Sequence, residues 1–411
     1  MNKLFAIFMS ISLLLAGCGQ ANSQTAIKST STPIGATITP RRVFTATPTR
    51  LSLPTLLPSP SPTIGVSIEQ HCPDFMGEVP MEDIARGTIF SYNSKTNTAI
   101  LHDLQSGREY PLPQDREWGA GSGAISPDRK YYAYTESNQA RTRTILWVVN
   151  AKAEVLAERI VNNDLFNLRW LDNEHLSLDT QDTDKRARIV VYNLQTGKFD
   201  TVAHELPELF TKSDLSYYWR VEYGPNMQKV FYLWDPQGSG YVRPIYFDLV
   251  SQKTLWESPV TNSEIGIIKW SPTGQYVALM VAGDVYILQA DGQVVNILKS
   301  SQLGYITKFS YEWSPNGQYI AFWAPKNFGA DTTATLMVYD MKSQRTIDYC
   351  VDGDYTMGPP AWSPDSTQVV VNASLGVGGL LLDLPTNRSF KLSDIPNVSY
   401  SGDWLFSTSE K

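Results

Sequence analysis

The segment Trp270-Ser271-Pro272-Thr273-Gly274-Gln275-Tyr276-Val277-Ala278-Leu279 returns almost residue for residue as Trp313-Ser314-Pro315-Asn316-Gly317-Gln318-Tyr319-Ile320-Ala321-Phe322. Recurrence of this kind constrains the fold strongly, because a repeat too small to bury its own apolar sides must stack against its neighbours. Looser copies are Ile125-Ser126-Pro127-Asp128, Trp170-Leu171-Asp172-Asn173, Tyr223-Gly224-Pro225-Asn226 and Trp362-Ser363-Pro364-Asp365, six in all. Each reads as a strand ending near an aromatic, a tight turn, and a second strand. Proline presets the second position of a type I turn, Asp or Asn follows comfortably, and glycine accepts the left-handed bulge. Only Gly274 and Gly317 keep that glycine. Arg129, Glu174, Met227 and Ser366 replace it elsewhere, so those four turns are expected to be rearranged or strained.

The other half of the unit is a hairpin signature such as Tyr192-Asn193-Leu194-Gln195-Thr196-Gly197 or Tyr339-Asp340-Met341-Lys342-Ser343-Gln344. It occurs seven times, beginning at His102, Val149, Tyr192, Phe247, Leu288, Tyr339 and Leu382. Between the turns lie short alternating runs rich in Val, Ile, Tyr, Phe and Trp, and the best helical candidate, Glu205 to Lys212, is short and interrupted by Pro207. The chain is therefore expected to be all-β, a β-propeller of four-stranded blades repeating about every 40 to 55 residues. Six aromatic turns against seven hairpins is reconciled at the ends. Gly402 to Phe406, with Trp404, looks like an inner strand without a blade, whereas Gly87 to Tyr92, Ala99 to Asp103 and Glu109 to Leu112 look like three outer strands without an inner one. Pairing them gives seven blades closed by the C-terminal strand; six blades is the alternative if the terminal strands fall outside the ring. Trp170, Trp270, Trp313, Trp362 and Trp404 are expected as packing between blades.

These repeats resemble the TolB-like, WD40-like (PD40) β-propeller repeats of bacterial exported proteins, over essentially everything after residue 65. The resemblance implies the fold and says little about activity. TolB-like proteins also carry an α/β domain before the propeller, and Val66 to Arg86 is too short for one, so a Tol-Pal role is not carried over.

Ahead of the repeats, residues 1–17 have the layout of a lipoprotein signal peptide: Lys3, an apolar run from Leu4 to Leu15, and Leu15-Ala16-Gly17-Cys18. Cys18 is expected to carry the lipid, giving an extracytoplasmic protein anchored to the cell membrane or envelope. Residues 18–65 are about half Ser, Thr and Pro and read as a disordered spacer; residues 66–411 form the propeller. In an oxidising compartment the remaining pair, Cys72 and Cys350, is a disulfide candidate, with two buried thiols as the other reading.

The net charge of −7 argues against a phosphate-tracking surface, so no nucleic-acid partner is expected. His71, His102, His175 and His204 lack metal-ligand spacing, Gly-x-Ser-x-Gly is absent, and Gly376 to Gly379 lacks the Lys-Ser/Thr of a P-loop. Asp179, Asp182 and Asp184, with Asp352 and Asp354, have calcium-like ligand types without EF-hand order and read as solvated loop charges. No metal, cofactor or catalytic residue is assigned.

In a four-stranded blade the first and third turns share one rim, and the second turns and blade-to-blade connections share the other. The first set is uniformly short here; the second varies widely, and variable loops on a rigid scaffold carry recognition. Trp118, Arg141, Arg143, Trp234, Tyr241, Phe328, Asp354 and Tyr355 lie on that rim and are the binding-face candidates, aromatic and Arg side chains being favoured anchors. The expectation is a monomeric, non-catalytic scaffold for a protein or glycan. A carbohydrate-active hydrolase or lyase with carboxylates in the central funnel, and a ligand-sensing module, are the alternatives.

Overall fold

The computed structural model describes residues 67–79, 85–93, 98–114, 118–162, 164–181, 187–201, 222–234, 242–259, 265–303, 311–325, 333–354, 359–372, 379–392 and 398–405. The Glu205–Lys212 helix candidate lies outside them. The chain is a seven-bladed β-propeller, each blade an antiparallel sheet running from an innermost to an outermost strand. Blade 1 contains Val398–Leu405, Thr88–Asn93, Thr98–Asp103 and Glu109–Pro111; blade 2, Trp118–Ile125, Tyr131–Asn138, Thr144–Asn150 and Val155–Val161. Blade 3 contains Leu165–Trp170, His175–Gln181, Ala187–Asn193 and Lys198–Thr201; blade 4, Glu222–Tyr223, Lys229–Trp234, Arg243–Asp248 and Lys253–Glu257. Blade 5 contains Ile265–Trp270, Tyr276–Val281, Asp284–Gln289 and Val294–Leu298; blade 6, Tyr311–Trp313, Tyr319–Pro325, Thr333–Asp340 and Arg345–Asp354. Blade 7 contains Ala361–Trp362, Gln368–Asn372, Gly379–Asp383 and Arg388–Leu392.

The ring closes in blade 1, where the C-terminal strand pairs antiparallel with Thr88–Asn93, setting Ile89 opposite Trp404 and Thr88 opposite Leu405. Gly87 makes the close approach possible: at φ +104°, a Cβ there would lie 2.3 Å from the Leu405 carbonyl oxygen.

Burial is distributed as the repeat demands. Each of the seven blade interfaces has its own apolar cluster among the described residues, from Leu101, Tyr132 and Trp147 between blades 1 and 2 to Ile89, Leu381 and Trp404 between blades 7 and 1. The inner tryptophans tie consecutive blades as well as filling the wedge. Trp170 Nε1 donates to the Ala124 carbonyl at 3.1 Å, Trp313 Nε1 to Lys269 at 3.0 Å and Trp362 Nε1 to Glu312 at 3.2 Å. In each case the acceptor sits on the innermost strand of the preceding blade.

The turns behave as their side chains dictate. Ser314 Oγ accepts from the Tyr319 amide at 2.8 Å and donates to Asn316 Oδ1 at 2.7 Å, and Ser363 repeats this with Gln368 and Asp365. Gly274 and Gly317 are left-handed, and Arg129, Met227 and Ser366 adopt the same conformation despite their side chains, at φ 59°, 53° and 66°, a strain of about 1 kcal/mol or more each. The Glu174 turn is rearranged instead: Asp172 Oδ1 accepts from the Glu174 and His175 amides.

Two short strands before the ring have no counterpart in the repeat. β1 (Ile68–Gln70) and β2 (Asp74–Val79) pair parallel with the outermost strands of blades 6 and 7, making five-stranded sheets. Between them Cys72 is disulfide-bonded to Cys350 of blade 6, with a Cα–Cα distance of 5.0 Å. Among the described residues no helix is long and apolar enough to cross a membrane.

Candidate functional site

Strand direction sorts the candidate residues. The innermost strand of each blade begins, the second ends, the third begins and the fourth ends at one rim, and this rim bears the connections of variable length. Trp118 begins the innermost strand of blade 2 and is paired with Asn138, at the end of the next strand. Trp234 ends the second strand of blade 4 opposite Arg243, and Asp354 ends the outermost strand of blade 6 opposite Thr333. Tyr241, Phe328 and Tyr355 lie outside the described residues, as does Cys18.

Arg141 and Arg143 belong to the turn joining Tyr131–Asn138 to Thr144–Asn150. Its geometry is set by Asn138, whose Oδ1 accepts from the Thr142 amide at 2.9 Å and the Arg143 amide at 3.1 Å, while its Nδ2 donates to Thr142 Oγ1 at 3.1 Å. The Arg141 amide donates to the Asn138 carbonyl at 2.8 Å. Both arginines are exposed, on a turn whose backbone these bonds hold in place.

A second cluster lies on the innermost strands, at the axis. Aligning the blades on the inner aromatic puts Ala124, Arg169, Glu222, Lys269, Glu312, Ala361 and Asp403 in one register position, directly before the aromatic or its replacement Ile125. The four from blades 3 to 6 alternate in sign and pair across blade boundaries. Arg169 Nε is 3.1 Å from Glu222 Oε2, and Lys269 forms an ion pair with Glu312. The Lys269 ammonium also sits 5.8 Å from the centre of the buried Tyr311 ring. Asp179, on the next strand of blade 3, accepts from Asn167 Nδ2 at 2.9 Å. Burial raises the Glu222 carboxyl to about 7 against the pull of Arg169, and burial also raises Asp179. Sequence reading overlooked this cluster, although the column before the repeated aromatic carries its signal.

Glu222, Glu312 and Asp179 are thus bonded to neighbours within the ring, and among the described residues no group of three or more His, Cys, Asp or Glu side chains is placed to hold a metal ion.

Neither a family model nor a curated protein matches the chain. Among solved structures it is similar to an uncharacterized protein, lmo1340, of Listeria monocytogenes EGD-e, at 10% identity over 81% of this chain and 99% of that one, with a TM-score of 0.48. TolB from Acinetobacter baumannii is 15% identical over 75% of this chain and 79% of its own, at a TM-score of 0.40. The Myceliophteria thermophila Cps50 (Swd1) beta-propeller domain is 11% identical over 75% and 98%, at 0.46.

Proposed function

We propose that this protein is a lipid-anchored extracytoplasmic scaffold that binds a protein or glycan through the rim of variable connections, without catalysing a reaction. The observation that carries the reading is the preorganised turn Asn138–Arg143, which presents two exposed guanidinium groups beside the strand that begins at Trp118. Arginine is suited to carboxylates and to planar polar groups of sugars and peptides, because its five donors sit in a fixed fork. Attachment through Cys18 and a spacer of residues 18–65 would hold that rim away from the lipid surface.

The test is a pull-down from envelope extract with the full chain, compared with an Arg141→Ala/Arg143→Ala variant. The expected result is at least a tenfold loss of one or more partners. Equal recovery of every partner by both proteins would refute the choice of rim.

A carbohydrate-active enzyme is the competing reading, favoured by Glu222, whose carboxyl titrates near neutrality as a general acid requires. Glycan cleavage by the wild-type chain that disappears in Glu222→Gln would establish it.

A further inference from the structure

The outer edges of the blades are protected unequally. Blades 6 and 7 are covered by β1 and β2. Blade 1 ends in three residues closed by Pro111, blade 3 in the charged Lys198–Thr201, and blade 4 in a strand with Lys253 and Glu257 at its ends. These are the usual devices against unwanted edge pairing. The outermost strand of blade 2, Val155–Val161, carries Glu158 and Arg159 but has no proline and, among the described residues, no covering strand; it differs from the equally uncovered Val294–Leu298 of blade 5 in exposing large apolar side chains. It is seven residues long, pairs on one side only among the described residues, and leaves Val155 46%, Leu156 48% and Ile160 52% exposed.

Register explains the exposure. Val155, Glu158 and Ile160 stand opposite Val149, Trp147 and Ile145, the side chains of blade 2 that pack toward blade 1. The outermost strand of blade 1 stops at Pro111, so nothing among the described strands continues over them. The opposite face is fixed to blade 3. Ala157 packs with Leu176, Leu178 and Tyr192, and the Arg159 guanidinium lies 5.9 Å from the centre of the Tyr192 ring and donates from Nε to the Gly197 carbonyl at 3.2 Å. Arg159 Nη1 also donates to the Glu158 carbonyl at 2.8 Å, a bond that an incoming strand can replace.

We propose that the edge of Val155–Val161 is a strand-addition site for an extended segment of a partner protein, one carrying apolar side chains opposite Val155 and Ile160 and a basic one facing Glu158. The ring already accepts extended segments in this way, and with a charge rule. β1 pairs Glu69 with Arg345 of blade 6, and β2 pairs Glu78 with Lys391 of blade 7. On blade 2 the sign is reversed, since the receiving strand supplies the carboxylate and the guest must supply the cation. A second copy added antiparallel about Glu158 would set two carboxylates against each other, which disfavours self-pairing. Main-chain hydrogen bonds provide the affinity of such additions and alternate side chains the selectivity. This surface is on the outer perimeter and meets the rim of Arg141 and Arg143 only at Val161, opposite Thr144.

The test titrates the full chain into two fluorescein-labelled heptapeptides, Ser-Val-Thr-Lys-Thr-Val-Ser and the same peptide with Glu for Lys, and follows anisotropy together with hydrogen exchange of the blade 2 amides. The Lys peptide is expected to bind saturably, about fivefold tighter than the Glu peptide, and to slow exchange in Val155–Val161. Glu158→Lys, at an exposed position, is expected to invert the preference, and Ile160→Thr to weaken both peptides. Absence of saturable binding, equal binding of the two peptides, or an unchanged preference in Glu158→Lys would overturn the proposal. Protection, in the isolated chain, of the outward-facing amides that do not bond Thr144–Asn150, signifying that its own spacer or a second copy occupies the edge, would overturn it too.

Discussion

Replacing Trp404 by alanine should destabilise the whole ring rather than one blade. The side chain is fully buried against Ile89, Leu104, Ala361, Val370, Leu381 and Leu392, so it fills the wedge between the first and last blades. Its Nε1 donates to the Arg86 carbonyl at 2.8 Å, and its own carbonyl accepts from Arg129 Nη1, in the first turn of blade 2, at 3.2 Å. Truncating a buried tryptophan costs about 3–5 kcal/mol, and the lost indole bond about 1 kcal/mol more. The total, about 5 kcal/mol, is a large share of the 5–15 kcal/mol typical of a folded domain. Urea unfolding followed by near-ultraviolet circular dichroism should show a midpoint lowered by roughly 1 M or more. Trp270→Phe is the comparison. Its indole nitrogen is buried without a hydrogen-bond partner among the described residues, and a phenyl ring keeps packing on Phe231 and Tyr246, so the expected change is below about 1 kcal/mol. Gly87→Ala perturbs the same junction from the other strand and should resemble Trp404→Ala. A loss below about 1 kcal/mol in Trp404→Ala, or equal losses in Trp404→Ala and Trp270→Phe, would refute closure through the C-terminal strand as the step on which the ring depends.

Glu222 holds its proton more tightly folded, at about 7, than its ordinary value of 4.5, so its contribution to stability is complete below about pH 4.5 and is lost as pH rises through 7. Between pH 5 and 7.5 the fold should weaken by on the order of 2 kcal/mol through this group, with Asp179 acting in the same direction, and Glu222→Gln should flatten the profile; stability that rises over this range, or the same slope in both proteins, would contradict the assignment. Cys72→Ser/Cys350→Ser removes a cross-link for which chain entropy sets a ceiling of about 5 kcal/mol. Because β1 and β2 lie outside the four-stranded units, amides in Ile68–Val79 should exchange faster while the urea midpoint moves less than in Trp404→Ala; unchanged exchange there would show that strand pairing alone holds the strap.

The candidate site was legible only where a local rule governs it. Asn138, Thr142 and Arg143 lie within a few residues of one another, and a turn of this length announces itself. The axial ion pairs join residues 43 or more positions apart, and no local pattern marks Arg169 and Glu222 as partners; alignment of the repeats supplies their common column but not their contact. The bare edge at Val155–Val161 was invisible for a related reason. Its exposure depends on where a strand of the neighbouring blade stops, at Pro111.

What the amino-acid sequence determined by itself is the repeating unit: strand, tight turn, strand, hairpin, six times over, with a seventh hairpin whose missing inner strand Trp404 supplies. Those features are short-range, set by proline and glycine dihedrals, serine and aspartate capping, and two-residue alternation of apolar side chains. Tertiary structure alone decided that β1 and β2 would run parallel along blades 6 and 7, that Cys72 would meet Cys350, and that blade 2 would keep an uncovered edge. Parallel pairing between segments some 280 to 315 residues apart carries no turn to mark its register. It requires the assembled ring, in which the outermost strands of blades 6 and 7 have an edge to offer a guest strand.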